Sequence, residues 1–581
     1  PSLIGRYFYF DCDRHLRFMA APAEERAETN IPEAQFNHTL SLAAILQSGH
    51  DWEEEVIEKK ISSTIHIADR EGPIHTRTHT LEETLVALRA MKPGEYLYQP
   101  TIQMPDCLYD ELGIDRNKYA FPPCRPDLLY LAEIEGKPVL QVIDVKASDA
   151  MKASHRVQIA LYALMLSAIA EIEKLPFTID LGKGFVWLYQ ADEPEEFDMD
   201  SSLSIVREFL QFGLDEIFTP DIGDVFWHLY FRCEWCEFYD RCREEAERIR
   251  SVSLIPYLST PARKYLRNAE WEGGKPINTL SELKEFLSSP IAGEVFNSCG
   301  SLRDMKDRMA HTVDALEKGE VILHGGSTIA LPKSEGVKVF LTLQEDPVTG
   351  NKYALGYRCF AYNSAIFGDY VKEYVRIASC PDDCISAQRD FLQNLYADLK
   401  MIAEYNKDRD WNEQQSVQTY VFDPYELTLF NRLLFDSLKD PILAPIALSL
   451  LFHFQETVLS TTEQQPAHEV PFPVIVLSRV IRDLAAIPVH VSYRLPDILE
   501  WIPSPGHEFH ITPRKFFWFN LSNIMKSDAI FKFWKTGDPV DEESIRKEMI
   551  LRIRGTGSVL DGIRSRVKDR LVTYPPKFSF P

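Results

Sequence analysis

Asp127, Asp144, Lys146, Gln158 and Tyr162 are the residues whose types and spacing could do chemistry together. All five lie within the stretch RPDLLYLAEIEGKPVLQVIDVKASDAMKASHRVQIALY, from Arg125 to Tyr162. DLLYLAEI and VLQVIDVK are rich in β-branched and apolar residues and read as strands, with EGKP as the turn between them. If the hairpin turns about Gly136–Lys137, Asp127 faces Lys146, and Asp144 shares a face with Lys146 because side chains alternate along a strand. Cross-strand neighbours sit roughly 5 Å apart. Two carboxylates and one ammonium therefore meet at one end of the hairpin. Two adjacent carboxylates repel, and a hard divalent cation such as Mg²⁺ or Mn²⁺ relieves that repulsion through oxygen ligands. A lysine beside such a cation can orient or help deprotonate a water and stabilise charge on a phosphoryl group, which makes a workable phosphodiester hydrolysis site. For Asp-x-Lys alone, the plainer reading is an exposed hairpin end with a salt bridge.

On the following segment, SHRVQIALYALMLSAIAEIEK, the residues Val157, Leu161, Leu164, Met165 and Ala168 fall on one helical face. Gln158 and Tyr162, at i and i+4, share another. Pro126-Asp127, Asp144-x-Lys146 and Gln158-x-x-x-Tyr162, in this order, resemble the motifs of the RecB-type PD-(D/E)xK nucleases. The family carries a histidine upstream on the first core helix, and SGHDWEEEVIEKKI offers Gly49-His50 there, with Glu54 one turn on. The resemblance implies that His50, Asp127 and Asp144 ligate the metal. It also implies that Lys146 assists the water, and that Gln158 and Tyr162 support the site and touch the DNA backbone. Without that context His50 reads as a solvated surface residue before an acidic run.

The ten cysteines are too few and too irregular for a secreted disulfide framework. Cys233, Cys236 and Cys242 nevertheless form C-x2-C-x5-C, and Cys12 is a remote fourth candidate, ranked above Cys107 and Cys124. Four thiolates suit a [4Fe–4S] cluster or a structural Zn²⁺; unrelated free thiols are the plain alternative. One cysteine before the core and three after it resembles the iron–sulfur nucleases of the AddB and CRISPR spacer-acquisition type. That resemblance favours a cluster acting as a staple between the two ends of the domain. A thiolate-held metal implies a reducing compartment, hence a cytoplasmic protein.

These residues need an α/β frame, a restriction-endonuclease-like core with a mixed sheet flanked by helices. THTLEETLVALRAM predicts a helix, EYLYQPTIQ a strand, FTIDLGKGFVWLYQ one or two strands, and SSLSIVREFLQFGLDEIF a helix before the cysteine cluster. The expected domains are residues 1–250, the nuclease; 251–330, a helical connector; 331–505, a second α/β domain; and 506–581, a basic aromatic extension. In the second domain VKVFLTLQEDPVTGNKYALGYRCF predicts a hairpin, and VQTYVFDPYELTLFNRLLF a strand then a helix. This order resembles the RNase H-like module that follows RecB-like domains in nuclease–helicase proteins. Phe340 to Gln344 lacks the acids of active members, and Glu345 and Asp346 fall toward the turn, so that module is expected to be inactive.

The chain has 581 residues, 45% hydrophobic and 26% charged, and a net charge of −24. That balance argues against coating duplex DNA with a broad basic surface but leaves room for a local basic groove. Residues 511–581 reverse the sign, and RKFFWFN and IFKFWK interleave aromatics with cations, as single-strand contacts or interface helices do. No run of about 18 apolar residues suggests a membrane span. A G-x-x-x-x-G-K-[ST] loop is absent, so a superfamily 1 helicase motor would be a partner, in cis or trans. The chain starts at Pro1 and is expected to be a piece of a longer polypeptide. The function expected is a Mg²⁺- or Mn²⁺-dependent nuclease on single-stranded DNA or DNA ends, in repair or anti-phage defence. The alternatives are an inactive DNA-binding scaffold and a nuclease whose target is RNA.

Overall fold

The structure is a computed structural model that describes residues 1–29, 31, 40–148, 150–269, 271, 276–346, 348–454, 473–502, 523–575 and 577–580. The first of its two units comprises Pro1–Asn37, Leu42–His228 and Cys236–Phe238; the second holds the remainder. The segment expected as a connector, 251–330, belongs to the second unit.

The first unit carries one mixed sheet of β1 (Ile65–His66), β2 (Tyr96–Tyr98), β3 (Leu128–Ile134), β4 (Lys137–Lys146), β5 (Thr178–Ile179), β6 (Lys183–Leu188) and β7 (Glu195–Asp198). The order is β1-β2-β3-β4-β6-β7, with β5 beside β4. β2, β3 and β4 run antiparallel, while β4 and β6 are parallel and are joined through the helix Ala153–Ile172. Glu135 and Gly136 both take positive φ, 52° and 74°, the pair of left-handed residues that a type I′ hairpin turn requires.

Alternation along the hairpin sorts its residues onto two faces. Leu129, Leu131, Leu140 and Val142 meet Val157, Leu161, Leu164 and Met165 of the helix Ala153–Ile172. Leu128, Ile143 and Val145 pack with Trp52 and Val56. Trp52 lies in the helix Leu40–Glu55, which runs on into a π-helical turn at Val56–Lys60. The helix after β4 is buried nearly all round rather than on the single stripe its spacing suggests, because sheet and further helices enclose it.

The second unit has a five-stranded sheet and a two-stranded one. They use β8 (Ile322–Leu323), β9 (Val337–Glu345), β10 (Lys352–Ala361), β11 (Val371–Ile377), β12 (Val417–Val421), β13 (Val474–Val476) and β14 (Ala485–Ala486). The larger sheet runs β11-β10-β9-β12-β13. Its first three strands are antiparallel and its last three parallel. One face packs on the helices Cys384–Lys407 and Pro424–Ser437, the other on Leu477–Leu484, Leu495–Trp501 and Pro539–Val567. Residues Val252–Val313 form a helical cluster with an apolar core of their own. Both units are α/β. Among the described residues no helix is long and apolar enough to cross a membrane.

Candidate active site

Asp144 sits near the C-terminal end of β4 on the face that holds Leu140 and Val142, so its carboxylate points into the core and is 1% exposed. The observed register pairs Leu128 with Ile143, two residues away from the register expected for a turn at Gly136–Lys137. The turn is Glu135-Gly136, and extending the ladder by one residue puts Asp127 beside Asp144 rather than Lys146. A two-residue shift keeps every side chain on its face, so the three groups still converge. Lys146 Nζ lies 3.2 Å from Asp127 Oδ2 and 2.9 Å from Asp144 Oδ2. The Val145 N–H also donates to Asp127 Oδ2 at 2.8 Å.

The buried Asp144 carboxylate is met by Lys146, whose ammonium lies 2.9 Å from Oδ2, and by Asp127 beside it. A carboxylate this deeply buried is costly even with one cationic neighbour. Burial, and then Asp127 against the opposing pull of Lys146, pushes the Asp144 carboxyl well above the usual range. Burial works to lower the Lys146 ammonium, but Asp127 and Asp144 outweigh it and hold Lys146 above the ordinary lysine range.

Gln158 Nε2 donates to the Tyr162 hydroxyl at 3.3 Å, and that hydroxyl donates to the Arg125 carbonyl at 2.9 Å. The pair thus ties the helix to the backbone just before Asp127. Gly5, in the helix Ser2–Phe10, lets that helix approach closely: a Cβ there would lie 3.3 Å from Gln158 Oε1.

His50 stacks on His75 with ring centroids 4.0 Å apart, and His75 Nδ1 lies 3.5 Å from Glu54 Oε1. No hydrogen bond or ion pair joins His50 to Asp127 or Asp144 among the described residues. The residue of this helix that feels the acid cluster is Glu53. Burial, then Asp127, pushes its carboxyl up to about 7, with Gln99 and Lys146 opposing. Gln99 Nε2 donates to Glu53 at 3.4 Å, and the Gln99 N–H donates to the Asp127 carbonyl at 2.9 Å. Gln99 does this from a left-handed backbone, φ 42°, rare for a residue other than glycine and typical of functional turns. The sequence pointed to Glu54, one turn after His50, and did not single out Glu53. Val56 and Ile57, both buried, stand three and four residues after Glu53 and share its side of the helix, and that spacing was the available signal. His155 is a second addition: burial, then Lys146 and Lys152, lowers it to about 4, so it is a neutral imidazole at the edge of the site.

The cysteines divide between the units: Cys12 and Cys236 in the first, Cys233 and Cys242 in the second. Cys12 precedes the helix Asp13–Ala20 as its N-cap residue. Cys233 is buried in the turn Phe231–Trp235, where its Sγ accepts from the Tyr230 N–H at 3.5 Å, and Cys242 lies in the helix Tyr239–Ile249. Cys236 groups with His15 and Glu237, their ligand atoms all within 4.8 Å of one another. His15 Nε2 is 3.2 Å from Glu237 Oε2, and Arg6 also pairs with Glu237. A Cys/His/Glu set suits Zn²⁺; His15 was not among the residues singled out by sequence. Of the alternatives, Cys107 is exposed, and Cys124 lies 4.0 Å from Met165 Sδ with its thiol pushed up to about 11 by burial.

In the second unit, Glu345 ends β9 and is bound by Tyr425 at 2.7 Å and Lys352 at 3.2 Å, while Asp346 accepts the Val348 N–H at 2.9 Å. On the same strand Thr342 donates to Glu426 Oε1 at 2.6 Å, and buried Arg552 lies 3.4 Å from that oxygen. In the segment IFKFWK, Ile530 and Phe533 join the core beside this sheet, and Trp534 Nε1 donates to the Ala378 carbonyl at 2.9 Å. Phe533 is buried, Phe531 and Trp534 are half-buried and the two lysines stay exposed, the arrangement of an interface helix with its cations at the surface. RKFFWFN lies outside the described residues.

Comparison with models of protein families, with curated proteins and with solved structures finds no match for this chain.

Proposed function

We propose that the first unit is a metal-dependent deoxyribonuclease of the RecB-like PD-(D/E)xK type, acting on single-stranded DNA or DNA ends. The observation that carries this reading is the convergence of Asp127 and the buried Asp144 on Lys146, at 3.2 and 2.9 Å, with Glu53 near enough to Asp127 to be shifted by it. Oxygen donors so arranged fit a hard divalent cation. Asp127, Asp144 and Glu53 would hold Mg²⁺ or Mn²⁺, with His50 added by the resemblance. The cation would polarise a phosphoryl oxygen and acidify a bound water. Lys146, held above the lysine range by its two acids, keeps its proton and serves as a fixed positive charge for the phosphoryl group rather than as a base. Tyr162 and Gln158 are positioning residues that fix Asp127 through Arg125.

The second unit we read as an RNase H-like module retained as scaffold. The strand order and directions of its larger sheet support this. Arg552 beside Glu426 puts a guanidinium where an acid cluster would need a metal, which favours an inactive module. A [4Fe–4S] staple on Cys12, Cys233, Cys236 and Cys242, with Zn²⁺ as the alternative, a cytoplasmic setting, a superfamily 1 helicase partner, and a role in repair or anti-phage defence complete the reading.

The test is cleavage of a labelled single strand with Mn²⁺ or Mg²⁺. Activity retained in both Asp144→Ala and Lys146→Ala would overturn the assignment. Metal-independent DNA binding with no cleavage under any metal would select the scaffold reading instead.

A further inference from the structure

The second unit contains a cavity of about 320 Å³ that the chemistry above does not use. That volume is in the range of small-molecule sites. Its walls come from the loop at Tyr257, the helix Lys306–Lys318, the helix Leu477–Leu484 and the segment at Tyr493.

Two features distinguish it from a packing gap. The first is an aromatic corner built on unusual backbone. Tyr257 and Val491 both take left-handed conformations, φ 59° and 66°, and the second is β-branched, for which this is an outlier. The two hold each other: the Tyr257 N–H donates to the Val491 carbonyl at 2.9 Å, and the Val491 N–H donates to Leu254 at 2.9 Å. The Tyr493 N–H donates to the Tyr257 hydroxyl at 3.1 Å, and the Tyr493 hydroxyl accepts the Ile487 N–H at 3.0 Å. Both rings are therefore anchored at their polar ends and cross at 77° with centroids 5.6 Å apart. Tyr257 nevertheless remains 42% exposed. Strained backbone that holds an aromatic ring open is typical of a ligand clamp.

The second feature is charge. The Arg482 guanidinium lies 5.1 Å from the Tyr257 ring and has no carboxylate partner among the described residues. Arg308 pairs with Asp483 at 2.8 Å, so the charged lining is cationic by one, in a chain of net charge −24.

A planar aromatic group and an anion are what this lining complements. We propose that the cavity binds a nucleoside monophosphate, with the base against Tyr257 and Tyr493 and the phosphate on Arg482 and Arg308. All four residues belong to the second unit, so the site stands whether or not the first unit cleaves DNA.

Calorimetric titration of the full chain in chelator, with deoxyadenosine monophosphate, deoxyadenosine and inorganic phosphate, tests this. The nucleotide should bind, and each half of it should bind at least about tenfold more weakly. Arg482→Gln should weaken nucleotide binding by roughly tenfold with an unchanged melting temperature, and Arg308→Gln should weaken it as well. Displacement by a short oligodeoxyadenylate would assign the nucleotide to a strand, and lack of displacement to a free nucleotide; either supports the site. No nucleotide binding, phosphate binding as tight as the nucleotide's, or indifference to both arginine variants would overturn it.

Discussion

Asp144 pays for its position in folding free energy, and the substitution that removes its charge should reveal this. Its carboxyl is held above the usual carboxylate range, chiefly by burial, so its charge carries a folding cost that an amide would not. Asp144→Asn should therefore melt no lower than the parent without metal, while losing cleavage by about a hundredfold or more. The parent should gain melting temperature on Mn²⁺ addition and the variant should not, by mass action on the folded state. Thermal melts with and without Mn²⁺, alongside a cleavage assay, check all three outcomes. Glu53→Gln should lower activity with an intact fold; full activity would remove Glu53 from the site. At this scale the sequence made Asp127, Asp144 and Lys146 legible because one hairpin places them, whatever its exact register. Glu53 and Gln99 were hidden because each acts from an element brought in by tertiary packing.

Helices and strands approach one another at specific glycines and buried polar groups, and two predictions belong there. Gly562, in the helix Pro539–Val567, faces the backbone of Ile502: an added Cβ would lie 2.5 Å from the Ile502 carbonyl oxygen. Backbone cannot rotate away, so Gly562→Ala should cost about 1–3 kcal/mol, read by chemical denaturation. His453, in the helix Ala444–Phe454, sits among Phe454 and Phe578 with no partner for Nε2 among the described residues, and burial lowers it to about 4. The folded form thus resists a proton that the unfolded chain accepts near its usual value. Stability from this residue is complete above about pH 6.5 and falls as pH drops toward 4, by on the order of 3 kcal/mol. Measured against the parent, His453→Leu should flatten that part of the acid-side loss. The hairpins and long helices were readable from periodicity; the burial of the helix Ala153–Ile172 on all sides was not, since it depends on what encloses it.

For the whole molecule, the expectation is one hydrolytic centre. With Glu345, Asp346 and Glu426 engaged by neighbouring side chains and backbone, the second unit shows no free acid pair, among the described residues, at the position the RNase H-like reading would use. A single change at Asp144 should therefore silence the entire chain, and residual metal-dependent cleavage would locate a second centre. Anaerobically purified chain should carry about four irons if the cysteines hold a [4Fe–4S] cluster. Zinc without iron would point instead to His15, Cys236 and Glu237.

The sequence by itself determined the hairpin, the order of its acids and lysine, the helix that follows, and the α/β character of both units. Those features follow from local periodicity and turn chemistry, which short stretches of chain carry alone. The tertiary structure decided which carboxylate of an acidic run turns inward, that Ile530 and Phe533 of IFKFWK enter the core while its lysines stay exposed, and that Tyr257, Arg482 and Tyr493 line one cavity. Such outcomes depend on burial and on partners hundreds of residues away, and no local pattern encodes them.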